Sequence, residues 1–437
     1  MSLDTSFDIK NIVCLYFNDL KDTINLYNLN KDHQNNIIIT NLYDIPLKHR
    51  NKLSQQIIEQ HKFKFVEKLN AYNNEKIKNV NHMKNTLKIL NCGGFCDNGI
   101  DQNGISELNL IELNAYTNKK IKNVNHMKET LKILDCSWEC GIDQNGISQL
   151  NLIELNISNN NQINYVNHMK NTLKKLCCNS RIDQNGISEL NLIELYTSGN
   201  KNIQNVNHMK RTLKKLDCGY CCGIDQNGIS ELNLIELIAY NNKNIQNVNY
   251  MKETLKILYC GGFYNNKIDQ NGISELNLIE LNACNNNNIK NVNHMKNTLK
   301  ILYCDSNCGI DQNGVSKLNL IELRANDNSN IKNVNHMKET LQILYCGGNC
   351  GIEQNGILEL NLIELYANDN SNIKNVNHMK ETLKKLYCHG QSGIDQNGIS
   401  ELNLIELYAH DNSKIKNVNH MKNTMFVNNL IELKYYL

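Results

Sequence analysis

The chain has 437 residues and a formal net charge of +2, with 46 basic and 44 acidic side chains mixed along its length. No basic stripe stands out, so binding to nucleic acid has no electrostatic support, and no apolar run reaches the roughly 20 residues of a membrane span. The N-terminal residues lack the basic and apolar regions of a secretory signal, and the 17 cysteines are an odd number. We therefore expect reduced thiols and a cytoplasmic location.

The N-terminal segment, residues 1–50, is predicted to be helical. Apolar spacing in residues 7–33 predicts two short amphipathic helices. The order of YFNDLKD and NLYNLNK resembles the F-box, a helical module that binds the adaptor of cullin-type ubiquitin ligases, although the usual Leu-Pro opening and the tryptophan of the third helix are absent. That resemblance implies adaptor-binding residues Ile12, Phe17, Leu20, Ile24 and Leu26. The alternative is a helical cap that covers the end of a repeat array.

After a predicted connecting helix over residues 51–65, the sequence becomes repetitive from residue 66 to residue 437. The string Asn-His-Met recurs with histidine at its centre, and Tyr250 replaces the histidine once. Each period of about 42 residues contains two related repeats of about 21 residues, a first type such as residues 152–172 and a second type such as residues 131–151. Both types begin Leu-x-x-Leu-x followed by cysteine, alanine or isoleucine, and the first leucine is counted here as position one.

This pattern resembles the leucine-rich repeat family, in about 17 repeats. The resemblance implies a right-handed α/β solenoid, a horseshoe with a concave parallel sheet, short helical or 3₁₀ outer segments and a closing strand in residues 430–437. Alternate strand residues then enter the core. The repeat style and the abundance of Asn, Ile and Lys are also similar to leucine-rich repeat proteins of giant amoeba-infecting DNA viruses. The family further implies an asparagine ladder at position nine of the first repeat type: Asn74, Asn118, Asn160, Asn200, Asn242, Asn286, Asn328, Asn370 and Asn412.

Three recurring motifs contain residue types that could bind metal, but we expect no metal and no cofactor. Asp143-Gln144-Asn145-Gly146 does not fit a calcium loop, because Gly141 and Leu152 occupy the positions of the anchoring carboxylates. Its glycine is instead expected to turn the chain at positive φ. Equivalent cysteines and equivalent histidines lie two strands apart, about 10 Å, which is too far to share one zinc ion. Buried cysteines and solvent-facing histidines are the simpler interpretation.

The solvent-facing side of the predicted sheet carries a more specific indication of function. Positions three, five and seven of each repeat point outward there. Position three is glutamate in most first-type repeats, and position five becomes tyrosine or arginine toward the C-terminus. Both residues are favoured anchors at protein interfaces, whereas the alternative is cross-strand stacking that only stabilises the sheet. The predicted partner-binding residues are Tyr303, Arg324, Tyr345, Tyr366, Tyr387, Tyr408, Glu322, Glu364 and Glu406.

Two functions are compatible with these patterns. In the first, the chain is a non-catalytic scaffold that binds a protein partner, and the F-box-like segment couples that partner to a ubiquitin ligase. In the second, it is a structural repeat array with a helical cap and no ligase role. No catalytic residue is predicted, since a repeated motif does not make a unique active site and no catalytic triad stands apart from the repeats.

Overall fold

The computed structural model describes residues 39–45, 50–95, 99–179, 181–263, 266–421 and 425–427. The chain divides into an N-terminal unit, residues 1–203 with 211–213, and a C-terminal unit, residues 204–210 with 214–437. The predicted helices of residues 7–33, with Ile12, Phe17, Leu20, Ile24 and Leu26, lie outside the described residues, as does the tail 430–437. Among the residues that are described, no helix is long and apolar enough to cross a bilayer.

The N-terminal unit contains one parallel sheet, in which each strand pairs with the next along the chain. Its described strands are β1 (Asn41–Leu42), β2 (Lys68–Asn70), β3 (Ile89–Asn91), β4 (Glu112–Asn114), β5 (Ile133–Asp135), β6 (Glu154–Asn156), β7 (Lys175–Cys177) and β8 (Glu194–Tyr196). Between the strands lie helix α1 (Gln55–Ile58) and 3₁₀ turns at His61–Phe63, Asn81–Met83, Asn103–Ile105, Asn125–Met127, Asn145–Ile147, Asn167–Met169 and Asn185–Ile187.

The C-terminal unit repeats this arrangement, again with parallel neighbours in register. Its described strands are β9 (Lys215–Asp217), β10 (Glu236–Ile238), β11 (Ile257–Tyr259), β12 (Glu280–Asn282), β13 (Ile301–Tyr303), β14 (Glu322–Arg324), β15 (Ile343–Tyr345), β16 (Glu364–Tyr366), β17 (Lys385–Tyr387), β18 (Glu406–Tyr408) and β19 (Met425–Val427). Helix α2 (Gln312–Val315) accompanies 3₁₀ turns at Asn207–Met209, Asn227–Ile229, Asn249–Met251, Asn271–Ile273, Asn293–Met295, Asn335–Met337, Gln354–Gly356, Asn377–Met379 and Asn397–Ile399.

Each coil of the chain buries the same apolar side chains. In one coil, Leu113 from the middle of β4, Ile121, Val124 and Met127 are all fully buried. A strand of three residues cannot bury its apolar side alone, so the stability of each coil comes from stacking on its neighbours. The predicted leucine-rich repeat solenoid with a parallel sheet is confirmed.

The predicted asparagine ladder is also confirmed. The Nδ2 group of Asn118 donates to the carbonyl oxygens of Cys92 and Ile100, each at 3.0 Å, and its Oδ1 accepts the Lys120 N–H at 3.0 Å. Burying those carbonyls without partners would cost about 1–3 kcal/mol each. The same bonds recur in the C-terminal unit, where Asn328 donates to Cys304 and Ile310. The ladder therefore satisfies the turn that follows each strand.

The Asp-Gln-Asn-Gly motif ties successive coils together. Asp143 Oδ1 accepts the Gly146 N–H at 2.9 Å, and the Gln144 amide bonds both the N–H and the carbonyl of Tyr165 in the next coil. The expectation of a positive φ at this glycine is wrong. A Cβ atom on Gly146 would lie 2.2 Å from the carbonyl oxygen of Lys122, so glycine is required there by the close approach of two coils.

The solenoid begins earlier than residue 66. Strand β1 pairs in parallel with β2, and Asn74 donates to the Leu53 carbonyl at 3.0 Å, as later ladder asparagines do. Residues 51–65 contain the four-residue helix α1 and a 3₁₀ turn rather than one continuous connecting helix. The reason is packing, because Leu53, Ile58 and Phe63 are all buried as core residues of a divergent first coil.

Candidate functional site

The predicted partner-binding residues lie together on the solvent-facing side of the sheet in the C-terminal unit. Every strand from β13 to β18 has a buried leucine in the middle and half-buried first and last residues. The last residues form one row and the glutamates begin alternate strands beside it. We call the following set the tyrosine face: Tyr303, Glu322, Arg324, Tyr345, Glu364, Tyr366, Tyr387, Glu406 and Tyr408.

Four rings of the tyrosine face form a continuous stack. The ring centroids of Tyr345 and Tyr366 are 3.9 Å apart, those of Tyr366 and Tyr387 are 4.3 Å apart, and those of Tyr387 and Tyr408 are 4.4 Å apart. Their interplanar angles are between 5° and 15°. The stack follows from the register, because adjacent parallel strands place equivalent residues about 4.8 Å apart. Each ring is thereby held in one rotamer.

Arg324 extends this stack toward β13. Its guanidinium lies 4.5 Å from the centroid of the Tyr303 ring and 4.4 Å from that of Tyr345, so a cation occupies the place of one ring. Its Nε donates to Glu322 Oε1 at 2.7 Å. Cation–π contact on both sides and a charge-assisted hydrogen bond together fix this side chain.

The glutamates of the tyrosine face are bonded within it. Tyr366 donates its hydroxyl to Glu364 at 2.9 Å, and Lys385 lies 3.2 Å from the same carboxylate. Tyr387 donates to Glu406 at 3.3 Å. Burial, followed by the Glu406 charge, raises the pKa of Tyr387. The hydroxyl groups of Tyr366 and Tyr387, whose pKa values are both raised, therefore stay protonated near pH 7 and act as hydrogen-bond donors.

The face continues beyond the predicted residues. Tyr259 lies 6.4 Å from the Tyr303 ring, and its hydroxyl donates to Glu280. Tyr259 is at position five of its repeat and Glu280 is at position three of the next repeat. These are the positions that predicted the tyrosine face, so the same sequence pattern identifies both residues. A second feature was missed: the isoleucine at position two is exposed in successive first-type repeats, at Ile279, Ile321, Ile363 and Ile405. Single exposed apolar residues are common on protein surfaces.

The histidines of the Asn-His-Met motif bond to the preceding coil. His126 Nε2 lies 3.1 Å from the Ile105 carbonyl oxygen, and His294 makes the same contact with Ile273. Tyr250 keeps this bond by donating its hydroxyl to Ile229 at 2.6 Å. Because a carbonyl only accepts, the histidine nitrogen carries the proton. These histidines therefore form hydrogen bonds between successive coils and are not unbonded solvent-facing residues.

The described cysteines are free thiols, and most of them are buried. Burial raises the pKa of Cys140 to about 11 and that of Cys388 to about 12. Cys221 is exposed. Over the described parts of the chain, no three His, Cys, Asp or Glu side chains are grouped as metal ligands.

No protein-family model matches this sequence, and a comparison with curated proteins found no match either. Solved structures similar to the chain include the yeast Rad7 and Elc1 complex, with 15% identity over 71% of this chain and 84% of that chain and a TM-score of 0.42. A leucine-rich repeat protein of Leptospira interrogans has 18% identity over 94% and 99%, with a TM-score of 0.39. The functional domain of InlJ from Listeria monocytogenes, which includes a cysteine ladder, has 16% identity over 78% and 72%, with a TM-score of 0.34.

Proposed function

We propose that this protein is a non-catalytic scaffold that captures a protein partner on the tyrosine face. The observation that supports this proposal is the continuous row of Arg324 and four stacked tyrosines on the solvent-facing side of the sheet. Rings held in one rotamer lose little conformational entropy on binding. Tyrosine and arginine also combine apolar contact area with polar tips, which favours them as anchors.

Partner capture by the full chain tests this role. Cross-linking pull-downs would compare the wild type with a variant in which Tyr345, Tyr366, Tyr387 and Tyr408 are alanine. A matched control carries alanine at Asn91, Asn114 and Asn156, which occupy the same strand position in the N-terminal unit. We expect capture to be lost only in the tyrosine variant, with circular dichroism unchanged. Capture that survives in the tyrosine variant would rule out this face.

The sharper form of the proposal couples the partner to a ubiquitin ligase through the F-box-like segment. It is supported by the sequence resemblance of residues 7–33 alone. The test is binding of a cullin-ligase adaptor to the full chain, to a Phe17→Ala/Leu20→Ala variant, and to a chain that lacks residues 1–38. That truncation retains β1 and so leaves the first coil intact. If the wild-type chain does not bind the adaptor, the structural-array alternative with a helical cap replaces the ligase role.

A further inference from the structure

The outer turns of the C-terminal unit carry a row of ion pairs between successive coils. In each pair, the lysine that follows the turn of a first-type repeat contacts a glutamate in the next coil. The described pairs are Lys210–Glu231, Lys252–Glu275, Lys338–Glu359 and Lys380–Glu401. In the last three, Nζ and Oε2 are 2.7 to 2.8 Å apart. Positive and negative charges therefore alternate along this row from coil to coil.

The alternation is broken at one place, between Lys296 and Lys317. Lys317 occupies the position at which the other coils of this unit carry the paired glutamate. Lys296, Lys317 and Lys338 consequently follow one another in three successive coils. Both Lys296 and Lys317 are exposed, and neither has an ion-pair partner among the described residues.

The coils on either side of the break also carry a second carboxylate beside the lysine. The pKa of Lys252 is raised first by its hydrogen bond and ion pair with Glu275 and then by the charge of Glu253. The pair of coils after the break has the same two glutamates around its lysine. Lys296 is instead followed by Asn297. Each flanking set thus contains one lysine and two glutamates, whereas this set contains two lysines and a neutral amide.

The backbone around the break has the same bonds as in the other coils. Asn293 Oδ1 accepts the Lys317 N–H at 2.9 Å, just as Asn335 Oδ1 accepts the Glu359 N–H at 3.0 Å. The Lys317 side chain therefore starts from the backbone position from which Glu359 reaches Lys338. Two like charges held at neighbouring positions repel each other, and an anion between them removes that repulsion.

We infer that Lys296, Asn297 and Lys317, which we call the lysine site, bind an acidic segment of a protein partner. The flanking ion pairs demonstrate that a lysine in this frame receives a carboxylate oxygen at 2.7 to 2.8 Å. A carboxylate of the partner takes the place of the glutamate that the chain lacks here. The Asn297 amide offers a further hydrogen-bond donor beside the two ammonium groups.

A segment with several carboxylates suits the lysine site better than a small free anion does. Backbone N–H groups of a turn can bind phosphate, but those beside the site are already bonded. The Asn293 N–H donates to Asn291 Oδ1 at 3.0 Å, and the Gly314 N–H donates to Asp311 Oδ1 at 2.9 Å. A single contact with exposed lysines is weakened by salt. Several carboxylates on one chain bind together, because the first contact makes the next one intramolecular.

The test is fluorescence anisotropy of a fluorescein-labelled hexaglutamate peptide with the full chain in about 50 mM sodium chloride. The peptide should bind saturably with a Kd below about 1 mM, and binding should weaken as the salt concentration rises. Lys317→Glu restores the ion pair of the flanking coils, so this variant should fold normally. Its affinity for the peptide should be lower by about tenfold or more.

The matched control is Lys374→Glu, which makes the same change of charge at another exposed lysine of this unit. It should leave peptide binding unchanged, and carbodiimide cross-linking should join the peptide to Lys296 or Lys317. Four results would overturn the inference. They are the absence of saturable binding, equal affinities of Lys317→Glu and wild type, an equal loss in Lys374→Glu, and full displacement of the peptide by inorganic phosphate at constant ionic strength.

Discussion

The two units share one interior but present different faces to solvent. In the N-terminal unit the last strand residues of β3 to β7 are small or polar: Asn91, Asn114, Asp135, Asn156 and Cys177. Several of these cap the following turn, as when Asn114 Oδ1 accepts the Tyr116 N–H at 3.1 Å. A shallow cavity of about 240 Å³ opens over this row. In strands β13 to β18 of the C-terminal unit the same row consists of Tyr303, Arg324 and four stacked tyrosines.

The coil requires some residues in both units and permits variation at others. The buried leucine and the ladder asparagine are present in both units, so the fold depends on them. The last strand residue changes from asparagine to tyrosine without a change of pairing or register. Position five therefore tolerates different side chains within one frame, which is compatible with the binding role proposed for the tyrosine face.

The largest effect should come from the shared interior. Asn118→Ala in the N-terminal unit and Asn328→Ala in the C-terminal unit each remove a side chain that satisfies two buried carbonyl groups. We expect each variant to lose about 2–4 kcal/mol of unfolding free energy. Urea unfolding followed by circular dichroism measures this loss. A large loss in one unit and none in the other would contradict the view that both interiors are equivalent.

The second-largest loss of stability should distinguish the tyrosine face from the equivalent strand positions of the N-terminal unit. Tyr366→Ala breaks two ring stacks, each worth about 0.5–1.5 kcal/mol, so the unfolding free energy should fall by about 1–3 kcal/mol. Its counterpart Asn114→Ala loses one partly exposed hydrogen bond and should cost about 1 kcal/mol or less. The same urea titrations compare the two variants. Equal losses would mean that the tyrosine stack contributes nothing beyond an ordinary strand residue.

A smaller effect is expected at the cation within the stack. Arg324→Lys keeps the charge but loses the flat guanidinium between Tyr303 and Tyr345 and its bond to Glu322. Lysine cannot stack in this way, so we expect a loss of about 0.5–1 kcal/mol. Lys385→Arg is the control, because Lys385 makes only ion pairs of the kind that arginine also makes. A neutral Arg324→Lys change would show that the sandwich is not stabilising.

The smallest effect concerns pH. Burial lowers the pKa of His168 in the N-terminal unit and of His294 and His378 in the C-terminal unit below 6.5. Burial also lowers the pKa of His389, with help from the stacked His410 and against the opposing charges of Asp369 and Asp411. The unfolded chain then binds more protons than the folded one as pH falls through about 6.5.

The contribution of these histidines to stability should consequently be constant above that pH and decrease as the pH falls from about 7 to about 5. Urea midpoints at these two pH values measure the decrease. His389→Gln should reduce the decrease, because the substituted side chain does not titrate. A midpoint that rises on acidification would contradict the assigned direction of the pKa shifts.

The sequence by itself determined the period and the row of tyrosines, and its resemblance to leucine-rich repeat proteins implied the parallel strands and the asparagine ladder. These were predictable because coils of nearly constant length stack in register, so equivalent positions become neighbours in space. Tyr366 and Tyr387 are stacked for that reason alone. The same logic identifies Tyr259 and Glu280, which extend the row.

Only the tertiary structure decided features that depend on contacts between non-equivalent positions. Gly146 is required by the nearby Lys122 carbonyl oxygen and not by a positive φ, and the histidines bond to carbonyls one coil away. The described residues 39–45 and 50–66 contribute to a coil although they lack the repeat pattern. Periodicity specifies that equivalent residues of successive coils align. The distances between coils decide which residues at non-equivalent positions are in contact.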